Sequence, residues 1–232
     1  MLSSEIEYKK SVIKNMHECY NKDLLPKNHL EFLVKLKNEY GFNPKICYDI
    51  GAAVLHWTRH AKKIWNDTEI ILFDAFDPYE ELYKDHKYNI GVLSDENNKI
   101  VKFYQNDFFF GGNSYYKEIG YKNGELFPVE NYLEKKTHTL DSIVEEKKFP
   151  YPDLIKIDVQ GSELDILKGS TNVLKNVKYL IVELQHTHYN DGAPLCDSTI
   201  KYLSSIGFKC IAPKFSDNGP DADYCFVNIN LK

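Results

Sequence analysis

The sequence predicts an α/β fold: a doubly wound, mostly parallel sheet with a helical extension on its N-terminal side. Three observations carry this. Pro152 to Glu183 holds two short apolar runs, each with an acid near its end, on either side of one helix-length segment, the pattern of a strand–helix–strand unit. Lys45 to Gly51 is a short apolar run ending Asp-x-Gly, and the residues after it turn helical. Glu69 to Pro78 is a further apolar run closed by an acid and a proline.

The chain has 232 residues, enough for one α/β domain with an appendage. A hydrophobic share of 43% and an aromatic share of 14% suffice for a full core. The net charge of -5, without a long basic run, carries no nucleic-acid footprint. Five dispersed cysteines form no Cys-x-x-Cys pair, which excludes zinc ribbons and the redox motif and suits a reducing compartment. The N-terminus lacks the apolar core of a signal peptide, and no apolar run approaches membrane-spanning length. The expectation is a cytoplasmic protein without a membrane partner.

Residues 1–41 read as two helices forming an extension or cap, and 42–232 as the main domain. Ile6, Val12, Ile13 and Met16 space the first helix. Asn28 with Glu31 is a capping-box variant opening the second, Phe32, Leu33 and Leu36 supply its apolar face, and Gly41 stops it. In the first core strand, Gly51 at a strand-to-helix turn suits an unusual backbone angle and close ligand approach, or simply a tight turn. His56 and His60, four apart on the next helix, have the spacing of metal ligands, although packing histidines are the usual case.

Asp77 ends the second strand ahead of Pro78. An acid there, in a doubly wound fold, commonly bonds the ribose hydroxyls of an adenosine cofactor. Asp74, three residues earlier, is expected inside the strand. Tyr88 to Gln105 reads as two strands joined by a polar turn, with Ser94 and Asp95 at the cofactor edge. Asn106 to Glu130 is a long loop, and such loops inside compact domains are often functional. Its Asn113, Ser114 and Tyr115 are candidate substrate contacts, with tyrosine stacking on a ring; the alternative is a surface loop pinned by Phe108 to Phe110.

Thr137 to Asp141 leads into a helix ending near Lys148. Glu163 and Asp165 serve the start of the next helix, inside the strand–helix–strand unit. Ligands of parallel sheets bind outside the carboxyl ends of the strands, so Asp158 and Glu183 fall where chemistry is done. Gln185, His186 and His188 leave the sheet on the same edge. A helix over about Ser198 to Ser205 and strands at Phe208 to Ala212 and Tyr224 to Ile229 complete the chain.

Taken together, Asp49-Ile50-Gly51-Ala52-Ala53, Phe76-Asp77-Pro78, Thr139-Leu140-Asp141, Ile155-Lys156-Ile157-Asp158-Val159-Gln160-Gly161-Ser162-Glu163 with Leu167-Lys168-Gly169, and Val182-Glu183 resemble the FkbM family of S-adenosylmethionine-dependent methyltransferases. The resemblance runs in order from Lys45 to Leu184. It implies the Rossmann-like sheet of class I methyltransferases and S-adenosylmethionine as cofactor, held by Asp49, Gly51, Ala52, Asp77, Pro78, Ser94 and Asp95. It implies methyl transfer to a hydroxyl, most often on a sugar or glycan. Asp158 and Glu183 would surround that hydroxyl, directly or through Mg²⁺ or Mn²⁺, with His186 as an alternative base because its ordinary pKa lies near neutrality. Gln185 and His188 join the substrate candidates. Three positions depart from the family pattern: Ala53 for Asn, Leu55 for Gly and Gln160 for Glu. Leu55 is expected to crowd the turn beneath the cofactor. The alternatives are a catalytically silent binding protein and a methyltransferase for a non-sugar small molecule. A Rossmann oxidoreductase would need Gly-x-Gly-x-x-Gly after the first strand, which is absent. The partner is a small-molecule or glycan acceptor, and the chain is compatible with a monomer or a homodimer.

Overall fold

The computed structural model describes residues 2–22 and 24–231. Met1, Asp23 and Lys232, which the expected 1–41 and 42–232 units include, lie outside the described residues. In chain order the elements are α1 (Leu2–Tyr20), α2 (Lys27–Asn38), β1 (Ile46–Ile50), α3 (His56–Ile64), β2 (Glu69–Asp74), α4 (Glu80–Tyr83), β3 (Tyr88–Ile90), β4 (Val92–Leu93) and β5 (Ile100–Tyr104). They continue with β6 (Tyr132–His138), α5 (Leu140–Lys147), β7 (Leu154–Ile157), α6 (Glu163–Lys168), β8 (Tyr179–Gln185), α7 (Cys196–Ser205), β9 (Phe208–Asp217) and β10 (Asp221–Asn228).

Among the described residues the main sheet has seven strands in the order β3-β2-β1-β7-β8-β10-β9. All neighbours from β3 to β8 are parallel, and β10 runs antiparallel to both of its own. From β1 the chain winds outward to β2 and β3, then returns beside β1 at β7 and winds the other way. The crevice at this reversal, between the carboxyl ends of β1 and β7, is where such sheets bind ligands. Helices cover both faces, so the central strands are mainly apolar, with Asp49, Lys156 and Glu183 as the charged exceptions. Tyr48, Ile50, Phe73, Ile155, Ile157 and Val182 meet α5 to α7 on one face. Cys47, Ile70, Leu72, Leu154 and Ile181 meet Leu33 and Leu36 of α2 and Trp57 of α3 on the other.

Several element boundaries move, each for a local reason. Helix α2 starts one residue before Asn28, with Pro26 at its cap position; Asn28 instead accepts from the His29 N–H through its side chain. Gly41 does take a left-handed φ of 64°, and Phe42 N–H closes the helix end on Leu36 O. Strand β2 ends at Asp74, whose carboxylate accepts from Phe76 N–H and bends the chain into a 3₁₀ turn over Asp77–Tyr79. Helix α3 begins only at His56, because Gly51 (φ 77°), Ala53 (φ 44°) and Leu55 (φ 64°) put left-handed residues into the preceding turn.

Strand β6 was not expected. It pairs with β4 and β5 in a small separate sheet and leaves most of its side chains in contact with solvent, so its sequence carries no apolar alternation. Of the three phenylalanines expected to pin the long loop, Phe110 packs inward on Phe76 and Tyr79, while Phe108 and Phe109 stay exposed. The loop is tied to α1 by Tyr8 OH, which donates to Asp107 at 2.8 Å, and by Asn15, whose amide donates to Phe108 O. No helix among the described residues is long and apolar enough to cross a membrane.

Candidate active site

A cavity of about 240 Å³ opens at the carboxyl ends of β1, β2 and β7. Gly51 forms its floor. A Cβ there would lie 1.7 Å from Asp158 O, so only glycine lets the turn after β1 cross beside the end of β7. The N–H groups of Gly51 and Ala52 both bond Phe73 O, which fastens the turn to β2. Beside them, Asp74 accepts from Ala53 N–H through one carboxylate oxygen and from Phe76 N–H through the other, each at 3.0 Å. Burial pushes the Asp74 carboxyl up to about 6, with those backbone bonds opposing the rise.

Two lining residues carry buried polar atoms without a partner among the described residues: Tyr79 Oη and Asn113 Nδ2. Buried polar groups are normally bonded, so this wall is built to meet a polar ligand. An acid, a tight glycine turn and unmet hydrogen-bonding atoms suit a ribose-bearing, adenosine-type cofactor.

At the far end stand Asp158 and Glu183, one after β7 and one near the end of β8. Lys156 lies on a strand buried on both faces and is itself 5% exposed. Its Nζ donates to Asp158 Oδ2 at 2.8 Å. Gln160 Nε2 donates to Asp158 Oδ1 at 3.2 Å and to Glu183 Oε2 at 3.0 Å. Burial raises the Asp158 carboxyl, but the Lys156 charge and the hydrogen bonds from Glu183, Lys156 and Gln160 outweigh it and hold Asp158 below the ordinary carboxylate range. Glu183 is pushed well above that range by burial and by the neighbouring Asp158 and Asp221 charges. The two shifts run in opposite directions, so Glu183 holds a proton more tightly than Asp158 does. Burial opposes the charge on Lys156, yet Asp158 and Asp49 reverse this and keep it an ammonium.

This donor set does not fit a divalent metal. Both carboxyl groups are engaged by an ammonium or an amide, and among the described residues no group of three or more His, Cys, Asp or Glu side chains could hold an ion. His56, a metal candidate on sequence spacing, bonds Cys19 O instead.

The remaining candidates divide. Asp77, expected at the ribose, is absent from the cavity lining; it lies beyond the end of β2 with its side chain 73% exposed, 3.3 Å from Lys135 Nζ. Pro78 follows it outward into the 3₁₀ turn. Asp74 occupies the position at the cavity. Asp49 is fully buried beneath the site, where Thr58 Oγ1 donates to it at 2.6 Å. Ser94 is buried just beyond the lining and shares hydrogen bonds with Asp95 and Tyr115, while Asp95 is exposed. Asn113, Ser114 and Tyr115 line the same cavity as Asp74, so the long loop closes that cavity. Tyr115 and Tyr116 both donate to Asp165, which holds the loop against α6. His186 contacts Tyr224 and lines no part of the cavity. Gln185 is buried against Asn190, and His188 is exposed. Ala53 lies in the lining, whereas Leu55 is buried in the core with Trp57 and does not crowd the cavity.

Sequence reasoning passed over Lys156 and Tyr79. A lysine inside the run Leu-Ile-Lys-Ile of a doubly covered strand was a readable signal, since buried lysines need a partner. Tyr79 offered none, because only the 3₁₀ turn carries it into the cavity.

Comparison with known proteins agrees with this geometry. The family model described as the methyltransferase FkbM domain matches residues 49–210, more than half of the chain. The hexuronic acid methyltransferase AglP of Haloferax volcanii is 44% identical over 56 residues, covering 24% of this chain and 23% of that protein. The match thus spans about a quarter of the curated relative. Among solved structures, a proposed O-methyltransferase from Klebsiella pneumoniae superposes with a TM-score of 0.50 at 11% identity, covering 95% of this chain and 89% of that one, a likeness of fold. TrmK of M. capricolum, solved with S-adenosyl-homocysteine, reaches a TM-score of 0.47 at 10% identity, covering 89% and 70%. The match over residues 49–210 places this chain in the FkbM methyltransferase family.

Proposed function

We propose that this chain is an S-adenosylmethionine-dependent O-methyltransferase acting on a hydroxyl of a sugar or glycan. The observation that carries the reading is the acid pair Asp158–Glu183 at the end of a cavity whose opposite side presents Asp74, Tyr79 and Asn113. Membership of the family supports methyl transfer, and the relative named for hexuronic acid supports a sugar acceptor.

Gly51, Ala53, Asp74, Tyr79 and Asn113 would hold the cofactor: Asp74 accepts from ribose hydroxyls, and the Tyr79 and Asn113 polar atoms find the partners they lack. When bound, the cofactor supplies an electrophilic methyl group on a sulfonium. Displacement at that carbon demands an acceptor oxygen held in line, and such positioning alone lowers a barrier greatly. Asp158 is the anion that accepts the acceptor's hydroxyl proton. Lys156 and Gln160 fix the Asp158 carboxylate, and protonated Glu183 relieves the repulsion that two buried anions would feel.

Thermal melting with S-adenosylmethionine, S-adenosylhomocysteine and a nicotinamide control tests the cofactor. Saturation at a hundred times the dissociation constant adds about 2.7 kcal/mol. A shift with the first two alone supports the reading; no shift with either overturns it.

A further inference from the structure

A second cavity, of about 180 Å³, lies under the connection between α1 and α2. Gly51, Ala53, Asp158 and Glu183 line both cavities, so the acid pair stands in the partition between them. Ala52, Val54 and His56 extend the wall from the turn after β1, and the rest comes from parts of the chain that do not line the first cavity. Leu25 and Pro26 enter from the α1–α2 connection, His29 from α2, Trp57 from α3, Asp223 from β10 and Asn218 from the turn before it.

The charge of this space is one-sided. Asp158 and Asp223, with Glu183 beside them, face it against one ammonium, Lys156, which is already bonded to Asp158, while His56 in the lining is engaged with Cys19 O. His29 adds no positive charge. Trp57 Nε1–H donates to His29 Nε2 at 3.0 Å, so that nitrogen is the acceptor; the ring proton sits on Nδ1 and is donated to Asp223 at 2.8 Å. His29 and Asp223 are 2% and 5% exposed, so this arrangement is fixed away from water. The lining holds no guanidinium.

We infer that this second cavity receives the acceptor, and that its charge selects an uncharged, multiply hydroxylated ring over a carboxylate-bearing one. The inference rests on the methyltransferase reading and names its substrate class. The reasoning is electrostatic and steric. An acceptor hydroxyl placed here lies beside Asp158, which lines both cavities. Further hydroxyls of a sugar donate to carboxylate oxygens, while its C–H face packs on Leu25, Pro26 and Val54. A ring carboxylate would instead lose its hydration facing Asp158 and Asp223, with no unengaged cation among the lining residues to receive it. The hexuronic acid of the partial relative is therefore the wrong acceptor for this chain.

The test uses the full chain. S-adenosylhomocysteine binding is measured first by thermal shift. Initial rates of S-adenosylhomocysteine release are then compared between neutral hexopyranoside oligosaccharides and hexuronides of the same ring and linkage. The expected kcat/KM is about tenfold higher for the neutral series, equivalent to about 1.4 kcal/mol. Asn218→Lys, an exposed change at the rim, should narrow that ratio by about threefold through its added positive charge. Equal or better use of hexuronides, or turnover of neither series by a protein that binds S-adenosylhomocysteine, overturns the inference. Failure to bind S-adenosylhomocysteine at all sinks the methyltransferase reading itself, so the two failures are distinct.

Discussion

Asp158 and Glu183, at the ends of adjacent parallel strands, are joined through one amide: Gln160 Nε2 donates to Asp158 at 3.2 Å and to Glu183 at 3.0 Å. Gln160, three residues past the end of β7, takes a left-handed φ of 59°. Such a conformation costs a non-glycine residue about 1–2 kcal/mol. The bridge ties the two acids into one unit, in which the Lys156 charge beside Asp158 holds that carboxyl below the ordinary range while burial pushes Glu183 above it.

Asp158→Asn removes the Asp158 charge while keeping the side chain's size. Methyl transfer should fall at least about 100-fold, the usual contribution of a positioned base. S-adenosylhomocysteine affinity should stay within about twofold, since Asp158 lies at the far end of the cofactor cavity. Release assays paired with calorimetry check both, and near-normal turnover would remove Asp158 from the mechanism.

Asp74 and Asp77 should behave oppositely. Asp74→Asn loses a charged acceptor for ribose and should weaken S-adenosylhomocysteine binding by about 1.5–3 kcal/mol. Asp77→Asn, on an exposed side chain, should leave it unchanged. Cofactor binding needs the ionised Asp74 carboxyl, whose pKa burial places at about 6. Affinity should therefore rise with pH to a plateau above 6 and fall by up to about tenfold per unit below it. Titrations from pH 5 to 8 settle this; a profile as steep in Asp74→Asn as in the wild type rejects the assignment.

Glu163 gives a stability prediction with a defined sign. Its carboxyl, buried at 4% exposure, accepts from Val159 and Gly161 N–H and is pushed up to about 7, chiefly by burial. The folded state thus keeps a proton that the unfolded chain loses near its ordinary value of 4.5. This contribution to stability is complete below 4.5 and disappears as pH rises through 7. Glu163→Gln keeps the accepting oxygen and does not titrate. Relative to wild type it should gain stability with rising pH, by up to about 3 kcal/mol across the window. Urea midpoints at pH 4.5 and 8 measure it, and a difference independent of pH contradicts the shifted pKa.

Gly51→Ala should be among the most damaging single-methyl changes in the chain. Its Cβ would fall 1.7 Å from Asp158 O, and the position has a φ of 77°. Relief requires β1 and β7 to separate at the site. A loss of several kcal/mol follows, at the upper end for point substitutions. Ala53→Gly is the control: alanine already occupies a φ of 44° there, so the change should leave stability within about 1 kcal/mol of wild type or raise it. A mild Gly51→Ala would show that the strands meet more loosely than this geometry states.

Much of the fold was legible because its central strands are buried on both faces and read as mainly apolar runs. Leu154–Ile157 and Tyr179–Gln185 needed no partner to be recognised. Strand β6 escaped because an exposed ribbon leaves no apolar imprint on Tyr-Leu-Glu-Lys-Lys-Thr-His. Asp158 and Glu183 could be paired from sequence because parallel strands bring their carboxyl ends to one edge. His186 shares that edge, but one residue of pleat or one turn beyond a strand end changes the face, and its ring goes to Tyr224.

The sequence alone determined the parallel sheet, the glycine turn and the acid pair, since these depend on burial, strand alternation and a φ that only local chemistry sets. Tertiary structure decided that Asp74 rather than Asp77 lines the cavity at the strand ends, that Lys156 and Gln160 bond the Asp158–Glu183 pair, and that His29, Trp57 and Asp223 line a second cavity. These last three lie 28 residues apart for His29 and Trp57, and 194 for His29 and Asp223. Their meeting depends on how α2 packs across the sheet onto β10, a long-range relation that no local pattern in the chain encodes.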